Sequence, residues 1–242
     1  MNIALIGYGK MGKEVERIAL ERGYAVVGRL DLGSDITDQD LQRADVAIHF
    51  AQPDSVVPHV HRWARSGKAM VIGTTGWQND FPKIQAIVAE TKIGLVHASN
   101  FSIGVNIFFR LVKEAAKLIN NFAEYDVSVH EAHHKDKIDS PSGTALTAAK
   151  ILLEQIKRKK TILSDSPQGT IRPEQLQITS TRAGATVGTH TLTFDSLADT
   201  IELKHTAKNR SGFALGAILA AEWIKNKHGL YTMDDVLADI LQ

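Results

Sequence analysis

The chain has 242 residues, of which 43% are hydrophobic and 23% charged, and its 28 lysines and arginines nearly balance 27 aspartates and glutamates. Such a composition is that of a globular protein with a sizeable core. A formal net charge of +1 argues against a general nucleic-acid or membrane electrostatic role. The absence of cysteine excludes disulfides, thiolate metal sites and thiol nucleophiles. Neither a secretory signal nor a run of roughly 20 apolar residues is evident, so we expect a cytoplasmic protein without membrane partners.

Short apolar runs alternate with longer amphipathic runs through the first hundred residues. The apolar runs are interpreted as buried strands, at Asn2 to Ile6, Ala25 to Leu30, Asp45 to Phe50, Ala69 to Ile72 and Gly94 to Ala98. The amphipathic runs have helical spacing, at Met11 to Arg22, Pro53 to Ser66 and Asp80 to Lys92. Continuous runs of Val, Ile, Leu and Ala are typical of parallel strands covered on both faces. The alternation predicts the α/β class, with a Rossmann-like doubly wound parallel sheet.

The pattern changes after Asn100. A long helix is predicted from Ile103 to Phe122, with an apolar face formed by Ile107, Leu111, Ala115, Leu118 and Phe122. Strands are predicted at Tyr125 to Val129, Leu176 to Arg182, Thr189 to Phe194 and Thr200 to His205. Between them lie a helix from Thr144 to Lys157, a cluster from Lys157 to Lys160 interpreted as its solvent-exposed end, and a polar segment reaching Glu174. These elements predict a second, α+β domain with an open mixed sheet.

Two final helices, from Phe213 to Lys225 and from near Thr232, are expected to return to the first domain. The nucleotide domain would then be discontinuous. We therefore predict a dinucleotide-binding domain of residues 1–102 and 211–242, and a substrate-binding and oligomerisation domain of residues 103–210.

A glycine-rich turn follows the first strand and opens the first helix. Gly7, Gly9 and Gly12 form a G-x-G-x-x-G motif, in which the glycines permit a tight turn, a close backbone approach to a pyrophosphate and close helix packing. Helix N–H groups there favour an anion. Asp31, at the end of the second strand, is positioned to accept hydrogen bonds from ribose hydroxyls. The loop residues expected to contact a dinucleotide are Gly7, Tyr8, Gly9, Lys10, Met11 and Gly12.

Two further turns follow the fourth and fifth strands. Open α/β sheets place their ligands at the carboxyl edge, so these turns are expected to contact the same cofactor. They comprise Gly73, Thr74 and Thr75 in the first turn, and Ala98, Ser99, Asn100 and Phe101 in the second.

The segment from Glu131 to Thr144 places two histidines and several cations before a helix start. Ser142 or Thr144 can cap that helix, and the N–H groups of Gly143 and Thr144, with a hydroxyl on either side, form an anion pocket suited to a carboxylate. Ser142, Gly143 and Thr144 are therefore candidate substrate contacts. Lys137 adds a positive charge. Reduction of an activated C=N or C=C bond also needs a proton donor, which His133 or His134 would supply. A surface loop and a metal site are the alternatives, and no metal is expected because the neighbouring carboxylates follow no familiar ligand spacing.

These residues resemble a known family. The run E-A-H-H-x-x-K-x-D-x-P-S-G-T-A from Glu131, the G-x-G-x-M-G loop, the Gly73-Thr74-Thr75 turn, the segment from Asn100 to Asn106 and the H-x-A-x-x-R ending at Arg210 are similar to dihydrodipicolinate reductases. Departures are small, with Ser99 where the family usually has Pro and Ser140 where it often has Ala.

The resemblance implies reduction of 4-hydroxy-tetrahydrodipicolinate, the dihydrodipicolinate synthase product, to tetrahydrodipicolinate by NADH or NADPH in lysine biosynthesis. It implies that His133 donates the proton and that Lys137 binds or activates the small dicarboxylate, with His134, Gly143 and Thr144 at its carboxylates. It also implies cofactor contacts at the two carboxyl-edge turns and Arg210, and a homotetramer assembled through the second-domain sheets.

Two other functions remain open, and so does the choice of nucleotide. Another nicotinamide enzyme, such as an amino-acid dehydrogenase or imine reductase, would keep the glycine loop, and a non-catalytic sensing module would bind the dinucleotide without turnover. Asp31 favours the free hydroxyls of NADH, and Leu32 stands where the family often has a basic residue. Arg29 and Lys10 are displaced cations. We therefore predict a modest NADH preference, with NADPH still usable.

Overall fold

The computed structural model describes residues 1–31, 36–164 and 169–240. Its strands are β1 Asn2–Ile6, β2 Ala25–Leu30, β3 Val46–His49, β4 Ala69–Ile72, β5 Gly94–His97, β6 Asp126–His133, β7 Thr161–Leu163, β8 Gln175–Arg182, β9 Gly188–Asp195, β10 Thr200–Ala207 and β11 Gly229–Thr232. Its α-helices are α1 Lys10–Glu21, α2 Asp38–Arg43, α3 Val56–Ala64, α4 Phe81–Thr91, α5 Ile103–Ile119, α6 Gly143–Gln155, α7 Ser211–Ile224 and α8 Met233–Ile240. Two compact units are formed, residues 1–103 with 210–242 (unit 1) and residues 104–209 (unit 2).

Unit 1 contains a six-stranded parallel sheet in the order β11-β5-β4-β3-β1-β2. Alternate residues of β1 enter two different cores. Ile3 and Leu5 pack with α1, α7 and α8, whereas Ala4 and Ile6 pack with α3 and α4. Burial on both faces explains why these strands are continuous apolar runs, and the predicted doubly wound sheet is confirmed.

The sequence interpretation missed two elements of unit 1, helix α2 and strand β11. Strand β11 extends the sheet by pairing with β5, from Gly229 opposite Gly94 to Thr232 opposite His97. Gly94 permits the close approach of the chain before β11, because a Cβ there would lie 2.3 Å from the Lys227 carbonyl oxygen. A four-residue strand next to a helix start leaves too few residues for a period of two to be visible.

Unit 2 contains a five-stranded mixed sheet in the order β10-β9-β6-β8-β7. Strand β9 is antiparallel to β10 and β6, whereas β8 is parallel to β6 and β7. Val127 and Val129 of β6 pack against α5 and α6 in one core. The predicted mixed sheet is confirmed, although β7 lies in the segment that was expected to be polar and irregular.

The predicted apolar face of α5 is wrong. Leu111 is 53% exposed and Leu118 is 67% exposed, and Ile107 and Phe122 are exposed as well. The core instead receives a second stripe of the helix, which includes Val105, Phe108, Val112, Ala116 and Ile119. Both stripes follow spacings of three and four, so the helical period alone does not decide which one the sheet covers.

The expected solvent-exposed helix end at Lys157 to Lys160 is also partly wrong. The Lys159 side chain is buried, and its Nζ donates to the Gln175 carbonyl oxygen at 2.7 Å and pairs with Asp126 at 2.5 Å. This ammonium group therefore ties the start of β8 to the start of β6. Among the described helices, none is both long enough and apolar enough to cross a membrane.

Candidate functional site

The glycine-rich loop of unit 1 lies between β1 and α1, as the motif requires. Gly7 has a φ of +94°, and a Cβ there would lie 2.3 Å from the Phe50 carbonyl oxygen. A Cβ on Gly12 would lie 2.2 Å from the Gly7 carbonyl oxygen, so the helix approaches the loop closely. Apart from its two chain neighbours, no described residue lies within 4 Å of a Cβ built on Gly9, the N-cap of α1. The loop backbone is therefore open where a pyrophosphate would meet the first N–H groups of α1.

The end of β2 lies beside this loop. The Gly7 N–H donates to the Leu30 carbonyl oxygen at 2.7 Å, which places the exposed Asp31 next to the start of the loop. Leu32, the position used above to predict the nucleotide, lies outside the described residues. Arg29 lies on Glu16 of α1, with its Nε 2.8 Å from the Glu16 carboxylate. A phosphate would therefore compete with Glu16 for this guanidinium.

The turn after β4 is fixed by a buried histidine. His49 Nδ1 lies 2.7 Å from the Thr74 hydroxyl oxygen, and both residues are buried. Burial lowers the pKa of His49 to about 3, so this ring is neutral. The Thr74 hydroxyl is therefore held within unit 1, whereas Thr75 is exposed.

The turn after β5 lies beside the turn after β4, because the Ala98 N–H donates to the Ile72 carbonyl oxygen at 3.2 Å. The Phe101 side chain is buried and packs edge-on against Phe50 at 6.3 Å. Because the ring is used within the core, a cofactor would contact Phe101 through its backbone. Ser99 is exposed, and Arg210 directly precedes α7.

The histidine segment of unit 2 begins on a strand, not in a loop, because β6 continues through His133. Residues of a strand that are two apart share one face, which brings Glu131 and His133 together. His133 Nδ1 lies 2.5 Å from Glu131 Oε2, and the Glu131 side chain is fully buried. Since a carboxylate only accepts, Nδ1 donates in this bond, and Nε2 is left as the nitrogen that gains and releases a proton.

Glu131 is held by further donors that the sequence did not reveal. Arg182, which is opposite His133 in the β6–β8 register, donates to both carboxylate oxygens at 3.0 and 2.6 Å. The Ser142 N–H donates to Oε1 at 3.2 Å. Burial would raise the pKa of Glu131, but the hydrogen bonds from Arg182, Ser180 and His133 outweigh it and lower the pKa to about 2. Glu131 is therefore a fixed negative charge behind His133.

Two residues of β9 complete the surroundings of His133. Its ring makes an edge contact with His190 at 5.2 Å, and His190 Nε2 lies 3.0 Å from the Ser142 hydroxyl oxygen. Gly188 leaves space for Nε2, because a Cβ there would lie 2.9 Å from it. Burial lowers the pKa of His133 below 6.5, partly opposed by Glu131, and it lowers the pKa of His190 to about 4.

The residues of the predicted anion pocket lie at the start of α6, which begins at Gly143. The Ser142 hydroxyl caps the helix by accepting from the Ala145 N–H at 3.2 Å, so it is used within the fold. The Gly143 N–H donates to the Asp139 carboxylate, and Thr144 follows in the first turn. Apart from chain neighbours and the backbone of α6 itself, no described residue lies within 4 Å of a Cβ built on Gly143. Lys137 Nζ lies 2.6 Å from Asp139. His134 follows β6 and is half-buried.

The chain is similar to known proteins along its whole length. Two family models match it, the N-terminus of dihydrodipicolinate reductase at residues 1–101 and the C-terminus at residues 104–237. A 4-hydroxy-tetrahydrodipicolinate reductase of Christiangramia forsetii is 41% identical over 100% of both chains, and one of Chromobacterium violaceum is 35% identical over 98% of both chains. A dipicolinate-bound dihydrodipicolinate reductase from Paenisporosarcina sp. TG-14 has the same fold, with a TM-score of 0.77 at 22% identity over 96% of this chain and 97% of that one.

Proposed function

The chain belongs to the dihydrodipicolinate reductase family, and we propose that it reduces 4-hydroxy-tetrahydrodipicolinate to tetrahydrodipicolinate on the diaminopimelate route to lysine. Membership rests on full-length similarity. The observation that carries the proposal for this site is the buried Glu131–His133 pair, which the Ser142 N–H joins to the start of α6. This arrangement combines a histidine that can donate a proton with a helix start that can bind a carboxylate.

Unit 1 is proposed to bind the reductant, NADH or NADPH, which when bound supplies a hydride. The open backbone at Gly9 fits a pyrophosphate, and Asp31 fits the ribose hydroxyls. The two carboxyl-edge turns, at residues 73–75 and 98–101, and Arg210 are the further proposed contacts. Because Arg29 lies on Glu16 and Asp31 is acidic, we propose a modest preference for NADH, with NADPH still used.

His133 is proposed to donate the proton that the reduced ring needs. Glu131 holds Nδ1, so the proton leaves from Nε2, for which the missing Cβ of Gly188 leaves room. A protonated His133 has a fixed carboxylate behind it, and that carboxylate stabilises the charged form against the effect of burial. Glu131 is therefore a positioning residue, since it acts through His133.

The dicarboxylate is proposed to bind at the start of α6. The N–H groups of Gly143 and Thr144 and the dipole of a 13-residue helix favour one carboxylate. Lys137 would turn from Asp139 to the same anion, and His134 is the remaining proposed contact. The Ser142 hydroxyl holds this pocket in shape by capping α6.

The sheet of unit 2 is proposed to assemble the homotetramer typical of the family. Several side chains on one face of this sheet are exposed, including Asp126, Ser128 and His130 of β6. An open face of this kind is commonly covered by another subunit. The mass of the protein in solution, measured by light scattering, tests this assembly.

The decisive experiment is the oxidation of NADH in an assay coupled to dihydrodipicolinate synthase. Turnover that requires the synthase supports the proposal, whereas an amino-acid dehydrogenase would oxidise NADH only with its own substrate and a sensing module with none.

His133→Gln is expected to lower kcat about 10²- to 10⁴-fold while nucleotide affinity is kept. His61→Gln is the matched control, because His61 is an exposed histidine of α3, outside both the proposed site and the sheet face proposed to assemble the tetramer.

A further inference from the structure

Beside the glycine-rich loop, three side chains form what we call the Tyr8–Glu16–Arg29 cluster. Tyr8 belongs to the loop, Glu16 to α1 and Arg29 to β2. Arg29 lies near the end of β2, two residues before Asp31, which directly follows the strand beside the Gly7 turn. The cluster therefore adjoins the place where the ribose of a dinucleotide is proposed to lie.

The contacts within the cluster converge on one carboxylate. Arg29 donates to Glu16 Oε1 through Nε at 2.8 Å and also through Nη2, and the Tyr8 hydroxyl donates to Oε2. The Arg29 guanidinium carbon lies 5.9 Å from the centre of the Tyr8 ring. The Glu16 side chain is only 12% exposed, whereas that of Arg29 is 44% exposed. Glu16 is thus the fixed member and Arg29 the accessible one.

The charge on Glu16 is secured by these bonds. The hydrogen bonds from Arg29 lower the pKa of Glu16, against the effect of its burial. At neutral pH the carboxylate is therefore ionised and balances the guanidinium. An Arg guanidinium can bind a phosphate through two N–H groups at once. In this cluster, Glu16 accepts hydrogen bonds from the guanidinium and so takes the place that a phosphate could have.

We propose that Glu16 is the residue through which the chain discriminates against the 2′-phosphate of NADPH. It holds the Nε and Nη2 donors of Arg29, which would otherwise be available to a phosphate. The inference rests on the proposed role of this loop in dinucleotide binding. Lys13 is a second cation nearby, with its Nζ 5.9 Å from the centre of the Tyr8 ring. It is present in every variant compared below, so its attraction to a phosphate is a constant background.

The test compares wild type, Glu16→Gln, Arg29→Gln and the double variant by direct binding, with no substrate present. Dissociation constants for NADH and NADPH, and for AMP and adenosine 2′,5′-bisphosphate, are measured by calorimetry at one fixed salt concentration. Glu14→Gln is the matched control. It removes the same charge from the same helix, but Glu14 bonds to Arg17 and Ser211, outside the cluster.

We expect Glu16→Gln to tighten NADPH and the bisphosphate about tenfold, the value of one charge-assisted contact, while NADH and AMP change less than about twofold. Arg29→Gln alone is expected to leave the NADPH to NADH ratio within about twofold of wild type, because Glu16 already occupies the guanidinium. In the double variant the gain should disappear.

An unchanged ratio in Glu16→Gln, or a tenfold loss of NADPH affinity in Arg29→Gln alone, would overturn the inference. If none of the four nucleotides binds the wild type, the proposed dinucleotide site itself is wrong. If the nucleotides bind but no variant shifts their ratio, only the role of Glu16 fails.

Discussion

The Nδ1 atom of His133 lies 2.5 Å from the Oε2 atom of Glu131, a carboxylate with no exposed surface. Because this bond leaves only Nε2 free to exchange a proton, the pair resembles in its logic other catalytic histidines that are oriented by a buried acid. The consequences of this contact are open to direct measurement.

The first prediction concerns the pH dependence that this contact sets. A general acid works in its protonated form, so kcat/KM should fall as the pH rises through the pKa of His133, which burial places below 6.5. In Glu131→Gln the carboxylate that raises this pKa is lost, so the limb should move to lower pH and kcat should fall about 10- to 100-fold, less than for loss of the acid itself. A pH profile identical to wild type in a folded Glu131→Gln protein, as judged by circular dichroism, would remove Glu131 from this role.

The orienting role of Glu131 was visible in the sequence only in part. Glu131 and His133 are two residues apart, and a strand through both would have placed them on one face. The predicted strand ended at Val129 because the polar run that follows has no apolar alternation to extend it. Arg182 was beyond reach, since its contact depends on the β6–β8 register, which links residues about 50 positions apart.

The six-stranded sheet was largely predictable for a physical reason. Strands buried on both faces are largely apolar, so runs such as Val46 to Ile48 and Ala69–Ile72 stand out from their surroundings. Helix α5 was predicted, but its buried face was not, because the helix carries two apolar stripes. Tertiary packing, not periodicity, selects between them.

A second prediction follows from the close approach of Gly188 to the ring of His133, the proposed proton donor. Gly188→Ala would place a Cβ 2.9 Å from His133 Nε2, closer than real Cβ atoms come, so the ring must shift. We expect kcat to fall by at least about tenfold, because small misplacements of a catalytic group are costly, while the affinity for NADH is kept. Wild-type kcat in this variant would show that Nε2 does not need its present position.

A third prediction separates Lys137 from its neighbour in the loop. Lys137→Ala would remove the charge-assisted contact that we propose to the dicarboxylate, so KM should rise about 10- to 100-fold, with a smaller loss of kcat. Lys135→Ala, which alters an exposed lysine of the same loop, should change neither value more than about twofold. Equal effects of both substitutions would indicate a general electrostatic attraction and not a defined contact.

The last prediction concerns Asp31 and the nucleotide preference. Asp31 follows β2 next to the Gly7 turn, where its carboxylate would accept hydrogen bonds from the two ribose hydroxyls of NADH and repel a 2′-phosphate. Asp31→Ala removes both effects, so kcat/KM should fall for NADH, by about tenfold for a lost charge-assisted contact, while the value for NADPH stays constant or rises. The measurement is the ratio of the two kcat/KM values at one fixed salt concentration, because a phosphate contact weakens as salt is added. Asp239→Ala is the control, since this carboxylate of α8 bonds to Trp223 and Lys227 and should leave the ratio unchanged. A parallel fall for both nucleotides in Asp31→Ala would mean that Asp31 supports the loop and does not read the ribose.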